Sequence, residues 1–197
     1  YVNKTHWNDF ANQNGFKEAD LRTWESLINV AKTYYEQTGQ GFLGIDSNAN
    51  FMLVSSMQLG KDIFEYTDSK EVDFTFDKAI GRKIWKHFYV PYIKGYFVKT
   101  GRFSSDDAKT GTVLAYTGST AGASYFPSEV TFSQDNIINI EPLILPYPYY
   151  EDGDAYAIQQ GAGMCITQSN LKHEYASAEF LRWFTQEEQN IRFAIAT

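Results

Sequence analysis

Short apolar runs alternate with helix-patterned segments along this chain, and that alternation confines it to an α/β architecture. The clearest helix is predicted over residues 24–38, where Trp24, Leu27, Ile28, Ala31, Tyr34 and Tyr35 recur at three- and four-residue intervals and share one face. Thr23 precedes it as an N-cap, Glu25 suits the first turn, and Gly39 supplies the stop. A second helical pattern covers residues 50–59 and ends at Gly60, with Asn48 or Asn50 as its cap. A third starts near Asp77, sets Ile80, Ile84, Trp85 and Phe88 on one face, and should kink or end at Pro91. β-Branched and apolar residues predict buried strands over 112–117, 139–145 and 163–167, and residues 1–4 read as the tail of another. Residues 100–103 and the Ser-Asp-rich run after them form a loop. Residues 174–184 carry an amphipathic helix, and Thr185 with Glu188 fits a capping box that opens a last one.

A chain of 197 residues can bury a core as one domain or two small ones. The net charge of −7 and the lack of a basic block argue against a phosphate-backbone binder, so no nucleic-acid partner is expected. No apolar tract approaches the ~18 residues that cross a bilayer. Aromatic residues make up 17% of the chain. Most must fill the core, and several tyrosines are expected to line a sugar-sized cleft, where a ring offers apolar area and a hydroxyl tip. The single cysteine, Cys165, excludes an internal disulfide and reads as a buried core thiol. The chain opens at Tyr1 without a signal peptide and closes at Thr197 inside a helical pattern, which reads as a piece of a longer protein.

Signatures of catalysis are sparse. His6, His87 and His173 lie in separate contexts without zinc-ligand spacing, so neither metal nor other cofactor is expected. Gly118-Ser119-Thr120-Ala121-Gly122 places its serine one position too early for a nucleophile elbow. Glu151, Asp152 and Asp154 do not follow an EF-hand spacing. As an acid–base pair they would make a carbohydrate-active enzyme; as an acidic surface turn they carry no chemistry.

Three pieces of the sequence together resemble the extracellular solute-binding proteins of ABC importers, in the group that takes sugars and glycerol phosphates. The first is Tyr1-Val2-Asn3-Lys4 followed by Thr23-Trp24-Glu25-Ser26-Leu27. The second is Gly111-Thr112-Val113-Leu114-Ala115-Tyr116-Thr117-Gly118-Ser119, a strand and the turn after it. The third combines Leu145-Pro146-Tyr147, Gly161-Ala162-Gly163 and residues 176–183. Their order and spacing match over nearly the whole chain.

The resemblance implies a periplasmic-binding-protein-like type II lobe, a mixed sheet flanked by helices, within a two-lobed molecule that closes on its ligand about a hinge. Residues 1–146 would be the core of the second lobe, 147–160 the crossover, and 161–197 a segment returning towards a first lobe. Without that lobe, the last segment should expose an apolar face. The whole protein would be extracellular or periplasmic, lipid-anchored and not an enzyme. It would bind a sugar or glycerol-phosphate-like solute and hand it to ABC permease subunits. A glycan-recognition module without transport is the remaining alternative. Sugar binders of this kind often carry a Trp in the turn held here by Ser119 and Thr120. That departure, with Pro146-Tyr147, leans towards glycerol phosphate.

Within this frame Gly118, Ser119 and Thr120 are the leading ligand contacts, since hydroxyls and N–H groups where a helix opens suit a polar or anionic atom. The plainer reading is an ordinary turn. Gln160 and Gly161 could set an amide and bare backbone against a ligand, or mark a strand start with a bulge. Asn50 and Phe51 match the loop-to-helix position from which family members send an aromatic into the cleft. Tyr149 and Tyr150, beside Tyr147 and Tyr156, stack on ligand or cover the hinge.

Overall fold

The computed structural model describes residues 1–69, 71–133 and 136–196. The chain forms two compact units, Tyr1–Ile158 and Gln159–Thr197; Thr197 itself lies outside the described residues. The first unit runs β1 (Val2–Asn3), α1 (Lys4–Asn14), α2 (Trp24–Thr38), β2 (Gly41–Ile45), α3 (Asn48–Gln58), β3 (Phe64–Tyr66), β4 (Val72–Phe74), α4 (Lys78–Ile93), α5 (Ser104–Lys109), β5 (Val113–Thr117), β6 (Glu129–Ser133), β7 (Asn136–Asn139) and β8 (Pro142–Leu143), with 3₁₀ turns at Glu18–Leu21 and Thr120–Tyr125. Among the described residues no helix is long and apolar enough to cross a membrane.

Four strands make one mixed sheet in the order β2-β5-β1-β8. β2 and β5 are parallel, with Leu43 opposite Ala115, while β1 is antiparallel to both β5 and β8. β2 is buried along its whole length, so it reads as an apolar run without alternation. Its outer edge is covered by residues 96–98: the Phe42 N–H donates to Tyr96 O at 2.8 Å and the Val98 N–H to Leu43 O at 2.9 Å. β3–β4 and β6–β7 are separate antiparallel pairs.

α2 keeps the bounds its sequence predicts. Thr23 Oγ1 accepts the Ser26 N–H, and Gly39 closes the helix at φ 70°. Trp24, Leu27, Val30 and Ala31 are buried, with Ile28 half-buried at the margin. The Trp24 ring meets Phe51 edge-on at 5.0 Å and Tyr147 at 5.5 Å, and Phe51 packs on Phe88 at 5.0 Å. This aromatic knot ties α2, α3 and α4 together.

Several expectations give way to local physics. Residues 4–14 form a helix capped by Asn3, whose Oδ1 accepts the His6 N–H at 3.1 Å. Ser47, not Asn48 or Asn50, caps α3, accepting the Asn50 N–H at 3.2 Å. α4 continues through Pro91 to Ile93. The Pro91 carbonyl accepts the N–H groups of Tyr96 and Phe97, at 2.9 and 3.2 Å, which folds the chain straight into the segment covering β2. Trp85 stands outside the core, 53% exposed and stacked on Tyr89 at 4.0 Å. α5 occupies part of the expected loop. Of residues 139–145 only Pro142–Leu143 joins the sheet, at its edge, where proline's missing N–H is tolerated.

In the second unit the regular elements are α6 (Leu171–Phe184) and α7 (Glu187–Ala196). Residues 163–167, expected as a strand, form none among the described residues. Cys165 is therefore exposed, not a core thiol, because no sheet is present here to enclose it. The capping box at Thr185 does not form either: its hydroxyl donates back to Leu181 O at 2.8 Å and ends α6, and α7 begins at Glu187. No described residue of this unit is buried, and Leu171, Tyr175, Phe180, Trp183 and Phe193 all expose large apolar surface.

Candidate functional site

Because β2 and β5 are parallel, their carboxyl ends meet at one edge of the sheet, where Asp46 follows Ile45 and Gly118 follows Thr117. Tyr1, leading into antiparallel β1, arrives at the same edge. Open α/β sheets bind ligands just outside the carboxyl ends of their parallel strands.

Tyr1 is fixed there by its backbone. Its carbonyl accepts the Tyr116 N–H at 2.9 Å and its nitrogen donates to Tyr116 O at 3.0 Å. The two rings stack at 5.1 Å, and Phe126 closes a triangle with them, 6.0 Å from Tyr116 and 6.1 Å from Tyr1. The Tyr1 hydroxyl donates to Ser119 O at 2.8 Å and so anchors the turn. Ser119 Oγ accepts the Ala121 N–H at 3.2 Å, and Ser119 O accepts the Gly122 N–H at 2.8 Å. The turn thus opens a short 3₁₀ segment that satisfies these N–H groups itself, not the α-helix N-terminus that the small residues suggested. Gly118, Ser119 and Thr120 are all exposed.

Asp46 supplies the charge. Its Oδ1 accepts the Ser104 N–H at 2.6 Å, holding the start of α5. Its Oδ2 faces Gly118: a Cβ added there would lie 3.6 Å from this oxygen and 3.4 Å from ring carbons of both Tyr1 and Tyr116. Lys99 Nζ donates to the main-chain oxygens of Asp46 and Ile45, at 2.5 and 3.3 Å. Buried Asp107 accepts both the N–H and the hydroxyl of Thr100. The Tyr116 hydroxyl and Ser104 Oγ are buried without a hydrogen-bond partner. Burial, with Tyr1 and Asp46 beside it, drives the Tyr116 phenol far above its ordinary value. It therefore stays protonated and able to donate.

The edge thus gathers a carboxylate acceptor, the exposed residues Ser119 and Thr120 and a cluster of rings around a position without a side chain. That set can hold a polar solute. Among the described residues no group of three His, Cys, Asp or Glu could hold a metal ion.

The other candidates have surroundings of their own. Asn50 sits half-buried in the first turn of α3, on the stretch that begins with Asp46. Phe51 does not reach towards a ligand, because its ring is wholly enclosed by the aromatic knot. Tyr149 is tied by its backbone, its N–H to Arg22 O at 3.1 Å and its O to the Trp24 N–H at 2.9 Å. Tyr150 is likewise wholly buried, edge-on to His87 at 5.2 Å and under Lys83 at 5.1 Å. Beside it Glu25 faces His87 Nε2 at 3.5 Å and Lys83 Nζ at 3.8 Å and accepts the Glu151 N–H at 3.1 Å. Lys83 also bonds Asp152 and lowers the pKa of its carboxyl group, the opposite of what a general acid needs. Gln160 and Gly161 are exposed in the second unit.

Sequence reasoning missed Tyr1, Asp46 and Tyr116 as site residues. A signal for Asp46 was present: a lone carboxylate directly after the apolar run Gly41-Phe42-Leu43-Gly44-Ile45.

A family model described as bacterial extracellular solute-binding protein matches residues 3–197. No curated protein and no solved structure gives a match.

Proposed function

The chain belongs to the bacterial extracellular solute-binding proteins, and from that premise we propose that it is the capturing part of an ABC importer, taking a carbohydrate or glycerol-phosphate-like solute and delivering it to the permease subunits. Its mixed sheet flanked by helices is the periplasmic-binding-protein-like fold of such a protein. The observation that supports the reading best is the convergence of Asp46, Tyr116 and residues 118–120 outside the carboxyl ends of β2 and β5.

In this reading residues 1–146 are the core of one lobe, 147–160 the crossover, and 161–197 the segment that returns to the other lobe. Gly118, Ser119, Thr120 and Asn50 belong to the solute site. Hinge closure then encloses the solute. The protein acts outside the cytoplasmic membrane, held there by a lipid anchor, and leaves its solute chemically unchanged.

The test is calorimetric titration of the full-length protein with neutral saccharides and with glycerol 3-phosphate. Replacing Ser119 and Thr120 together by Ala removes two hydroxyls from the turn. Unpaired polar groups in a closed site cost about 1–3 kcal/mol each, so affinity should fall tenfold or more at ~1.4 kcal/mol per decade. Unchanged affinity removes the turn from the site.

A further inference from the structure

We infer that this site is built for an uncharged, polyhydroxylated solute and turns phosphorylated ones away, with Asp46 as the residue that decides. The inference rests on the solute-binding reading above and narrows it. It also reverses the lean towards glycerol phosphate suggested by Ser119, Thr120 and Pro146-Tyr147.

The argument starts at Gly118, the one position around which the whole constellation is arranged. Asp46 Oδ2 and ring carbons of Tyr1 and Tyr116 all lie within 3.6 Å of where a Cβ would stand. A solute atom at that position would lie 3.4 Å from the two ring carbons and 3.6 Å from the carboxylate oxygen, the one polar atom of the three. A sugar hydroxyl can donate to it, whereas a phosphate oxygen has no proton to give and carries the same sign of charge.

Lys99 and two N–H groups of the turn, which would rescue an anion, are committed elsewhere. Lys99 Nζ is held by the main-chain oxygens of Asp46 and Ile45, and the Asp107 carboxylate sits on neighbouring Thr100. The N–H groups of Ala121 and Gly122, which could have cradled a phosphate, are already bonded to Ser119.

The remaining groups suit a hydroxyl. The Tyr116 side chain is 3% exposed, yet its hydroxyl has no partner. A buried donor without an acceptor is costly, and a solute oxygen would satisfy it. A solute with several hydroxyls can donate one proton to Asp46 and offer another oxygen to the Tyr116 hydroxyl, provided the site opens to it. The clustered rings of Tyr1, Tyr116 and Phe126 give the C–H face of a sugar ring an apolar wall.

The experiment is titration calorimetry on the full-length protein with glucose, maltose, cellobiose and glycerol 3-phosphate, using wild type, Asp46→Asn and Tyr116→Phe. We expect a saccharide to bind wild type and glycerol 3-phosphate not to. Asp46→Asn keeps a side-chain oxygen for the Ser104 N–H but removes the charge. It should weaken the saccharide at least tenfold and narrow its advantage over glycerol 3-phosphate. Tyr116→Phe removes only the unpartnered hydroxyl, so it should weaken the saccharide with no fall in Tm. Glycerol 3-phosphate binding wild type more tightly than the saccharides, or both variants retaining wild-type saccharide affinity, overturns the inference and leaves the importer reading standing. Binding of none of the four probes overturns both.

Discussion

Burial of ring hydroxyls is the dominant chemistry at the scale of single residues. Tyr34, Tyr92, Tyr116, Tyr147 and Tyr150 all have phenols pushed above their ordinary 10.0 by loss of solvent, Tyr92 to about 12. A raised folded-state value means that the folded protein holds the proton more tightly than the unfolded chain does. The associated stability is fully present below pH ~10 and is lost as pH rises towards the folded values. We expect urea midpoints to be level from pH 8 to 9.5 and to fall between pH 10 and 12. Phenolate absorbance should lag behind that of the urea-unfolded protein over the same range. Phe51 supplies a second test. Its ring fills the space between Trp24 and Phe88, so Phe51→Ala should cost about 3–5 kcal/mol in urea unfolding, the range for emptying an aromatic core site. A cost below 1 kcal/mol would remove Phe51 from the core.

Elements were legible where their own residues carried every signal. α2 has its cap, its periodic face and its glycine stop within residues 23–39, and nothing distant is needed to define it. α1 buries only Trp7, Phe10 and Ala11, too few to stand out as a period. β2 is interrupted by Gly41 and Gly44, which hide it as a strand. Both are there for close packing, since a Cβ would come within 2.4 Å of Val98 and 2.7 Å of Ser104 respectively. Residues 163–167 have strand composition but no partner, and pairing is a property of two segments. The same reasoning divides the site: the small-residue turn at 118–120 was visible, whereas Tyr1, Asp46 and Tyr116 meet only through the strand order β2-β5-β1. The end of α3 gives the test at this scale. Buried Gln58 donates through Nε2 to Pro148 O and Tyr156 O, both at 2.9 Å, and its own carbonyl accepts the Asp154 N–H at 2.9 Å. A Cβ at Gly153 would stand 2.5 Å from that carbonyl oxygen. Main chain cannot swing aside, so Gly153→Ala should cost about 1–3 kcal/mol and lower Tm by roughly 2–4 °C per kcal/mol. Thermal unfolding followed by circular dichroism measures it.

Across the whole molecule, the two units differ in how deeply they protect their backbones. β2 and most of β5 are buried, while no described residue from 159 onwards is. Amide protection follows burial and local packing. Hydrogen exchange read by mass spectrometry should therefore label peptides from α6 and α7 at least tenfold faster than peptides from β2 and β5 in this 197-residue chain. Equal rates would show that the second unit is as firmly packed as the first. The segment at residues 96–98 has a consequence for behaviour at high concentration. An uncovered edge of a long buried strand is a template on which another molecule can add its own strand, the first step towards fibrils. Here the apolar five-residue strand has that edge occupied by its own chain, and the opposite end of the sheet is the two-residue strand Pro142–Leu143, whose proline has no N–H to offer. Strand-by-strand polymerisation of this sheet is thereby obstructed at both ends, a useful property in a protein that works outside the cell, away from cytoplasmic chaperones.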